Sequence, residues 1–91
     1  MAKLEQLKEK MQEEYTKYKN LHIQLGNKKD MINGSLNRIA ISDSEEEVER
    51  LFNYLLSNSI KEYKDIAREA HQQWLVYEKI FNEYVKEKNN D

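Results

Sequence analysis

Ser42-Asp43-Ser44-Glu45-Glu46-Glu47 stands near the middle of the chain and has the composition of a helix start. A serine caps a helix because its hydroxyl oxygen accepts a free N–H group of the first turn. Ser44 with Glu47 makes an S-x-x-E capping box, and Ser42 with Glu45 is an overlapping alternative. The acidic residues also suit the positive end of the helix dipole. Consecutive glutamates point in different directions, so the stretch predicts a cap rather than a metal site.

The residues before this start carry a heptad repeat, which predicts a first helix over residues 3–40. The first core position is apolar or aromatic in every heptad: Leu4, Met11, Tyr18, Leu25, Ile32 and Ile39. The second core position is mixed: Leu7, Glu14, Leu21, Lys28 and Ser35. Tyr15, His22 and Leu36 widen the stripe, and a strict seven-residue repeat implies a left-handed supercoil around a neighbour. The turn signal Asn33-Gly34 leaves an alternative in which the helix ends near Asn33.

The residues after the start predict a second helix over residues 44–88. Its apolar residues recur at helical spacing around a stripe centred on Phe52. The stripe contains these residues: Val48, Phe52, Leu55, Leu56, Tyr63, Ile66, Ala67, Ala70, Trp74, Tyr77, Phe81, Tyr84 and Val85. Ser57-Asn58-Ser59 interrupts it, and a Ser59–Glu62 capping box would split the helix in two. The stripe keeps its phase across the interruption, which favours a single helix.

These two helices predict an all-α fold, a long antiparallel hairpin forming one domain over residues 1–91. A turn near residue 42 would place Tyr18 opposite Ile66, since facing residue numbers then sum to about 84. Two helices bury one seam only, and five apolar residues fall outside it: Leu51, Tyr54, Leu75, Val76 and Ile80. We expect these five residues to bind another protein or a second copy. A homodimer with a two-fold axis, forming a four-helix bundle, is the simplest arrangement.

Composition limits the functions that this chain can have. It has 91 residues, no Cys, no Pro and two Gly, with 35% charged residues and a net charge of −2. Absence of Cys excludes disulfides and thiol chemistry. There is no apolar leader and no membrane-spanning run, so we expect a cytoplasmic protein without membrane contact. The first 41 residues carry +3 and the rest −5, which suits mutual packing more than a nucleic-acid interface.

The sequence contains no recognisable catalytic or cofactor-binding motif. There is no Gly-rich phosphate loop, no H-E-x-x-H and no nucleophile elbow. His22 and His71 are the two histidines, and in a hairpin turning near residue 41 we expect them to lie far apart. We therefore predict that the chain is not an enzyme and holds no metal or cofactor.

In size and hairpin shape the chain resembles the small helical substrates and partners of type VII secretion. That resemblance implies a secreted helical hairpin. Members of that group carry a Trp-x-Gly turn, whereas the turn here is Arg38-Ile39-Ala40-Ile41-Ser42 and Trp74 lies in the second helix. Their C-terminal Tyr-x-x-x-Asp/Glu is also missing, since Phe81 follows Tyr77 at that spacing.

We interpret the sequence as a non-enzymatic protein-interaction module that binds through helix faces. An adaptor, an inhibitor or an assembly factor would fit, and the Lys, Asn, Ile and Tyr bias suggests a bacterial or phage source. One alternative is nucleic-acid binding along the basic first helix, through Lys17, Lys19, Lys28, Lys29 and Arg38. A further alternative is a type VII-like secreted hairpin or a structural spacer.

Overall fold

Two antiparallel helical arms joined by a three-residue loop make up the structure. The computed structural model describes residues 2–90, with helix α1 over Ala2–Ile41 as the first arm. The second arm contains helix α2 (Glu45–Tyr54), a π-helical segment (Leu55–Ser59) and helix α3 (Ile60–Asn90). The hairpin measures 67 × 16 × 15 Å. Its radius of gyration is 20.0 Å, against about 12 Å for a compact chain of this length. The predicted helical hairpin is confirmed, with both arms ending within two residues of their predicted bounds.

Hydrogen bonds within the loop close the turn. The Ser44 hydroxyl accepts the Glu47 N–H at 3.3 Å, which is the predicted cap. The Ser44 N–H donates to the Ser42 hydroxyl oxygen at 3.2 Å, and that hydroxyl donates to the Glu47 carboxylate at 3.3 Å. The Glu47 side chain thus bonds Ser42 instead of returning to the Ser44 N–H. Three residues therefore reverse the chain and start the second arm with the Glu47 N–H of the first turn satisfied.

The α1 side of the seam follows the predicted heptad without a break. Its half-buried side chains all stand at the two core positions: Leu4, Leu7, Met11, Glu14, Tyr18, Leu21, Leu25, Lys28, Ile32, Ser35 and Ile39. The helix passes through Gly26 and Gly34, so the alternative ending near Asn33 is wrong. The unbroken repeat presents one narrow stripe of α1 to the second arm.

The second arm has one residue too many for a regular heptad. Its seam residues are these: Val48, Leu51, Leu55, Ser59, Tyr63, Ile66, Ala70, Gln73, Tyr77, Ile80 and Tyr84. Successive seam residues are alternately three and four residues apart, except that the two intervals Leu55 to Ser59 and Ser59 to Tyr63 are both four residues. The π segment lies here, and the Ile60 N–H donates to the Leu55 carbonyl, five residues back. A π turn takes up one residue more than an α turn, so the seam keeps facing α1.

The centre of the second-arm stripe differs from the sequence prediction. Phe52 and Leu56 are 44% and 65% exposed, whereas Leu51 and Ile80 are 7% and 6% exposed. A stripe centred on Phe52 is therefore wrong, and the true stripe is turned towards Leu51. The sequence cannot distinguish core residues from apolar residues beside the core, and most of the latter follow the second core position, on one side of the stripe.

The register between the arms is also shifted from the prediction. Arg38 pairs with Glu47 near the loop, at a residue-number sum of 85, but further along Tyr18 lies beside Trp74, with ring centroids 5.1 Å apart. The prediction placed Tyr18 opposite Ile66. The three-residue loop and the one extra residue of the π segment together raise the sum of facing residue numbers by about three, which accounts for part of the difference.

Polar residues at core positions of α1 find partners across the seam. The Gln73 amide donates to the Glu14 carboxylate at 2.5 Å and to the Glu14 carbonyl at 2.9 Å. The Lys28 ammonium pairs with the Glu62 carboxylate. A hydrogen bond between side chains across the arms can form in one register only, so these pairs fix the alignment that apolar contacts leave loose.

Deleting Asn58 tests whether the π segment accommodates an extra residue. Without it, the seam spacing becomes a regular alternation of three and four, and every seam residue still faces α1. We expect helical circular dichroism and thermal stability close to those of the wild type. Deleting Arg68 is the matched control, because it turns the rest of α3 by about 100° and should cost at least ~3 kcal/mol. Equal damage from both deletions would contradict this account.

Glu14→Gln tests the polar pair through its pH dependence. The Gln73 hydrogen bond lowers the pKa of the Glu14 carboxyl below its usual 4.5, by stabilising the charged form. A lowered folded-state pKa stabilises the protein above pH 4.5, and that stabilisation is lost as pH falls through the lowered value. In urea unfolding, the stability gap between wild type and Glu14→Gln should therefore shrink from pH 7 to pH 3. A gap that is independent of pH would show that the carboxylate charge contributes nothing.

Candidate interaction surface

The seam between the arms has two edges of different chemistry. In an antiparallel helix pair, the residues that follow the second core position on both arms line the same edge. These residues are mostly apolar, and we call this edge the apolar flank. Its members on α1 are Lys8, Tyr15, His22, Lys29 and Leu36, and on the second arm Phe52, Ile60, Ala67, Trp74 and Phe81.

Aromatic rings fill the half of the apolar flank nearer the chain termini. Tyr15 lies 5.4 Å from Tyr77, and Trp74 lies 5.3 Å from the same ring, measured between centroids. Tyr77 also contacts Phe81 at 6.0 Å. These spacings fall in the range where aromatic pairs attract beyond simple burial. The rings therefore hold one another in place while leaving much of their surface open.

The apolar flank continues over the half nearer the loop with smaller and aliphatic groups. Leu36 is 43% exposed and Phe52 is 44% exposed, and Leu56 beside them is 65% exposed. In the other half, Trp74 and Phe81 are 39% and 41% exposed. Large, half-exposed apolar side chains that recur along one edge in both halves of the hairpin differ from scattered surface residues and are typical of an interaction site.

The opposite edge of the seam carries charged pairs, and we call it the charged flank. Arg38 reaches Glu47 at 3.4 Å and Lys3 reaches Glu87 at 3.5 Å. Lys28 pairs with Glu62 on the same side. These ion pairs are partly exposed, so each contributes between about 0 and 1 kcal/mol. Their groups already have partners within the chain, which leaves the apolar flank as the candidate interaction surface.

The structure separates the five residues expected to bind a partner. Leu51 and Ile80 are buried in the core of the hairpin, so neither is available to another molecule. Tyr54, Leu75 and Val76 are 56%, 51% and 45% exposed. Tyr54 lies 21 residues before Leu75, which corresponds to about 30 Å along a helix. The three exposed residues therefore do not form one patch.

The sequence pattern predicts several residues of the apolar flank as core. It places Phe52, Trp74 and Phe81 inside the second-arm stripe, and it makes Tyr15 a widening of the α1 stripe. The available signal was the width of the stripe, since both arms extend it at the same heptad position. When the apolar stripes of two paired helices both extend towards the same edge, they indicate an apolar surface outside the seam between the helices.

The two histidines border the same part of the apolar flank. His22 stacks on Tyr18 with centroids 6.0 Å apart, and His71 lines a groove of about 330 Å³ with Tyr18 and Trp74. The expectation that they lie far apart is therefore wrong, because the register is shifted. Within residues 2–90, no three His, Asp or Glu side chains are grouped so that they could hold a metal ion.

Comparisons with known proteins add no relatives. No protein-family model matches the chain, and searches of curated proteins and of solved structures give no match either. No helix within residues 2–90 combines the length and the apolar character needed to span a membrane.

Ile80→Glu and Val76→Glu form a matched pair that tests the burial on α3. Ile80 is buried, so a carboxylate there lacks a partner and should lower the free energy of unfolding by ~3 kcal/mol or more. Val76 is 45% exposed, and its replacement should change stability by less than about 0.5 kcal/mol. Urea unfolding followed by circular dichroism measures both values. Similar losses for the two variants would contradict the observed phase of the seam.

Proposed function

We propose that the chain is a non-enzymatic protein-interaction module that acts by binding through its apolar flank. It would serve as an adaptor, an inhibitor or an assembly factor. The observation that carries this proposal is the row of half-exposed aromatic and aliphatic side chains along one edge of the seam. A second copy of the hairpin, forming a four-helix bundle, is one partner that would cover that row.

The exposed area of the chain supports a partner. It exposes 7203 Å² of accessible surface, whereas a compact protein of 11.0 kDa exposes about 5,600 Å². Within residues 3–90, Leu51, Leu55, Ala70 and Ile80 are the only apolar residues that are buried. A hairpin with so small a core gains stability whenever a partner removes more apolar surface from water.

The arrangement of charge favours a protein partner over nucleic acid. Several basic side chains of α1 are engaged with carboxylates: Lys3 with Glu87, Lys17 with Glu14, Lys28 with Glu62 and Arg38 with Glu47. Cations paired within the chain are less available to phosphates. The large apolar residues beside the seam also fit the core of a protein interface.

Affinity capture from an extract of the source organism tests the proposal. Three tagged baits are compared: wild type, Phe81→Asp on the apolar flank, and Ile23→Asp. Ile23 is the matched control, because it is 52% exposed and lies on the outer face of α1, away from the flank. We expect wild type and Ile23→Asp to retain the same stoichiometric protein and Phe81→Asp to lose it.

Circular dichroism of each bait shows whether it is folded. Leu36→Asp, at the loop half of the flank, replaces Phe81→Asp if that variant unfolds. A wild-type bait that retains nothing, neither another protein nor an untagged copy of the chain, would contradict the proposal. Undiminished capture by the folded flank variant would contradict it as well.

A further inference from the structure

The face of the hairpin that carries the apolar flank is large enough for a stable interface. The hairpin is 67 Å long and 16 Å wide, so one face offers roughly 1,000 Å², against about 800 Å² per partner in an interface of standard size. The question is which molecule covers it. Three features of the flank, taken along its length, select one occupant.

We propose that a second copy of the chain covers the apolar flank, running antiparallel, with a two-fold axis at the level of His22 and Ala67. This inference rests on the proposed function and names its partner. Lys28 pairs with Glu62, and Glu14 with Gln73, so His22 on α1 stands level with about Ala67 on α3. In this arrangement α1 packs on the α1 of the second copy, and α3 packs on its α3.

The first feature is the fit of apolar residues about this axis. Trp74 and Ile60 stand seven residues either side of Ala67, so Trp74 meets Ile60 of the second copy. Phe81 follows Ala67 by fourteen residues. Phe52 precedes Ala67 by fifteen residues, which is equivalent to fourteen because the π segment between them holds one extra residue. Phe81 therefore meets Phe52 of the second copy. Each of these two α3 rings packs against an apolar residue of the second copy, twice by symmetry, whereas on α1 the same axis brings Tyr15 beside Lys29 of the second copy.

The second feature is charge at the two ends of the hairpin. The loop end, residues 38–50, carries five acidic and two basic residues. The terminal end, residues 3–10 with 79–90, carries six Lys and four Glu. An antiparallel pair brings each negative loop end to a positive terminal end, and places Glu45 near Lys88 of the second copy. A parallel pair would align like with like, so the charges select the antiparallel orientation.

The third feature is the size of the residues near the axis. Ala67 stands on the axis and meets its own copy, which allows the two α3 helices to approach closely. Lys19 of one chain falls beside Gly26 of the other, where no side chain occupies the space, and a Cβ built on Gly26 meets nothing within 4 Å. The lysines near the axis therefore have room to reach water at the rim, where salt screens their repulsion.

Sedimentation equilibrium of the full chain gives the first test. We expect wild type to have twice the 11.0 kDa chain mass, and Phe81→Asp to weaken association more than about 100-fold. Ile23→Asp should associate like wild type. A wild type that stays monomeric at ~100 µM, where a standard interface is saturated, would overturn the inference. If it then still captured another protein through the flank, the proposed function would stand without this partner.

Cysteine cross-linking and charge reversal test the orientation. The chain has no Cys, so single variants are unambiguous. Ala67→Cys should form a covalent dimer on mild oxidation, and Arg68→Cys, one residue round on the exposed face, should not. Glu45→Lys should weaken the dimer up to about fivefold, and adding Lys88→Glu should restore it. A dimer that Ala67→Cys does not cross-link, or that Lys88→Glu does not restore, would overturn the antiparallel arrangement.

Discussion

The phase of the second-arm repeat is the constraint on which the rest of the structure depends. From Leu55 to Tyr63 the chain holds one residue more than a heptad allows. In a continuous α-helix this residue would turn everything after it by about 100°, and Tyr77 and Ile80 would leave the seam. The π segment at Leu55–Ser59 takes up that rotation locally. The 31 residues of α3 can therefore face the same helix as α2 does.

The register of the two arms along their length is determined separately from the phase of the repeat, and polar pairs across the seam determine it. The core positions of α1 recur every seven residues, so their spacing alone permits the second arm to slide by a heptad. Glu14 with Gln73 and Lys28 with Glu62 each form in one alignment only. Sliding would leave the part-buried Glu14 and Gln73 side chains without each other, which costs more than their bond contributes, whereas the more exposed Lys28 and Glu62 would lose little. The Glu14–Gln73 pair thus acts chiefly against wrong alignments.

Much of the fold could be predicted from the sequence, and the reasons for the misses are specific. The Ser44 cap and the α1 heptad depend on local geometry, so both arms were predicted within two residues. The phase of the second arm was not predictable by the same means. Phe52, Trp74 and Phe81 beside the seam are as apolar as the core. Counting them in the stripe therefore moves its calculated centre by roughly 40° about the helix axis. That shift moved Leu51 and Ile80 out of the core, to an apparent second face. The π segment was missed because Ser57-Asn58-Ser59 also resembles a helix break.

The two flanks of the seam differ in the free energy they offer to an assembly. Each ion pair of the charged flank is partly exposed and contributes at most about 1 kcal/mol, already realised within the chain. On the other flank, Trp74 is 39% exposed, and covering the remaining area of such a ring contributes about 2 kcal/mol. Several residues of this kind in one row exceed anything that the charges can supply. Apolar burial would therefore provide the affinity of an assembly, while the charges at the loop and terminal ends would decide its orientation.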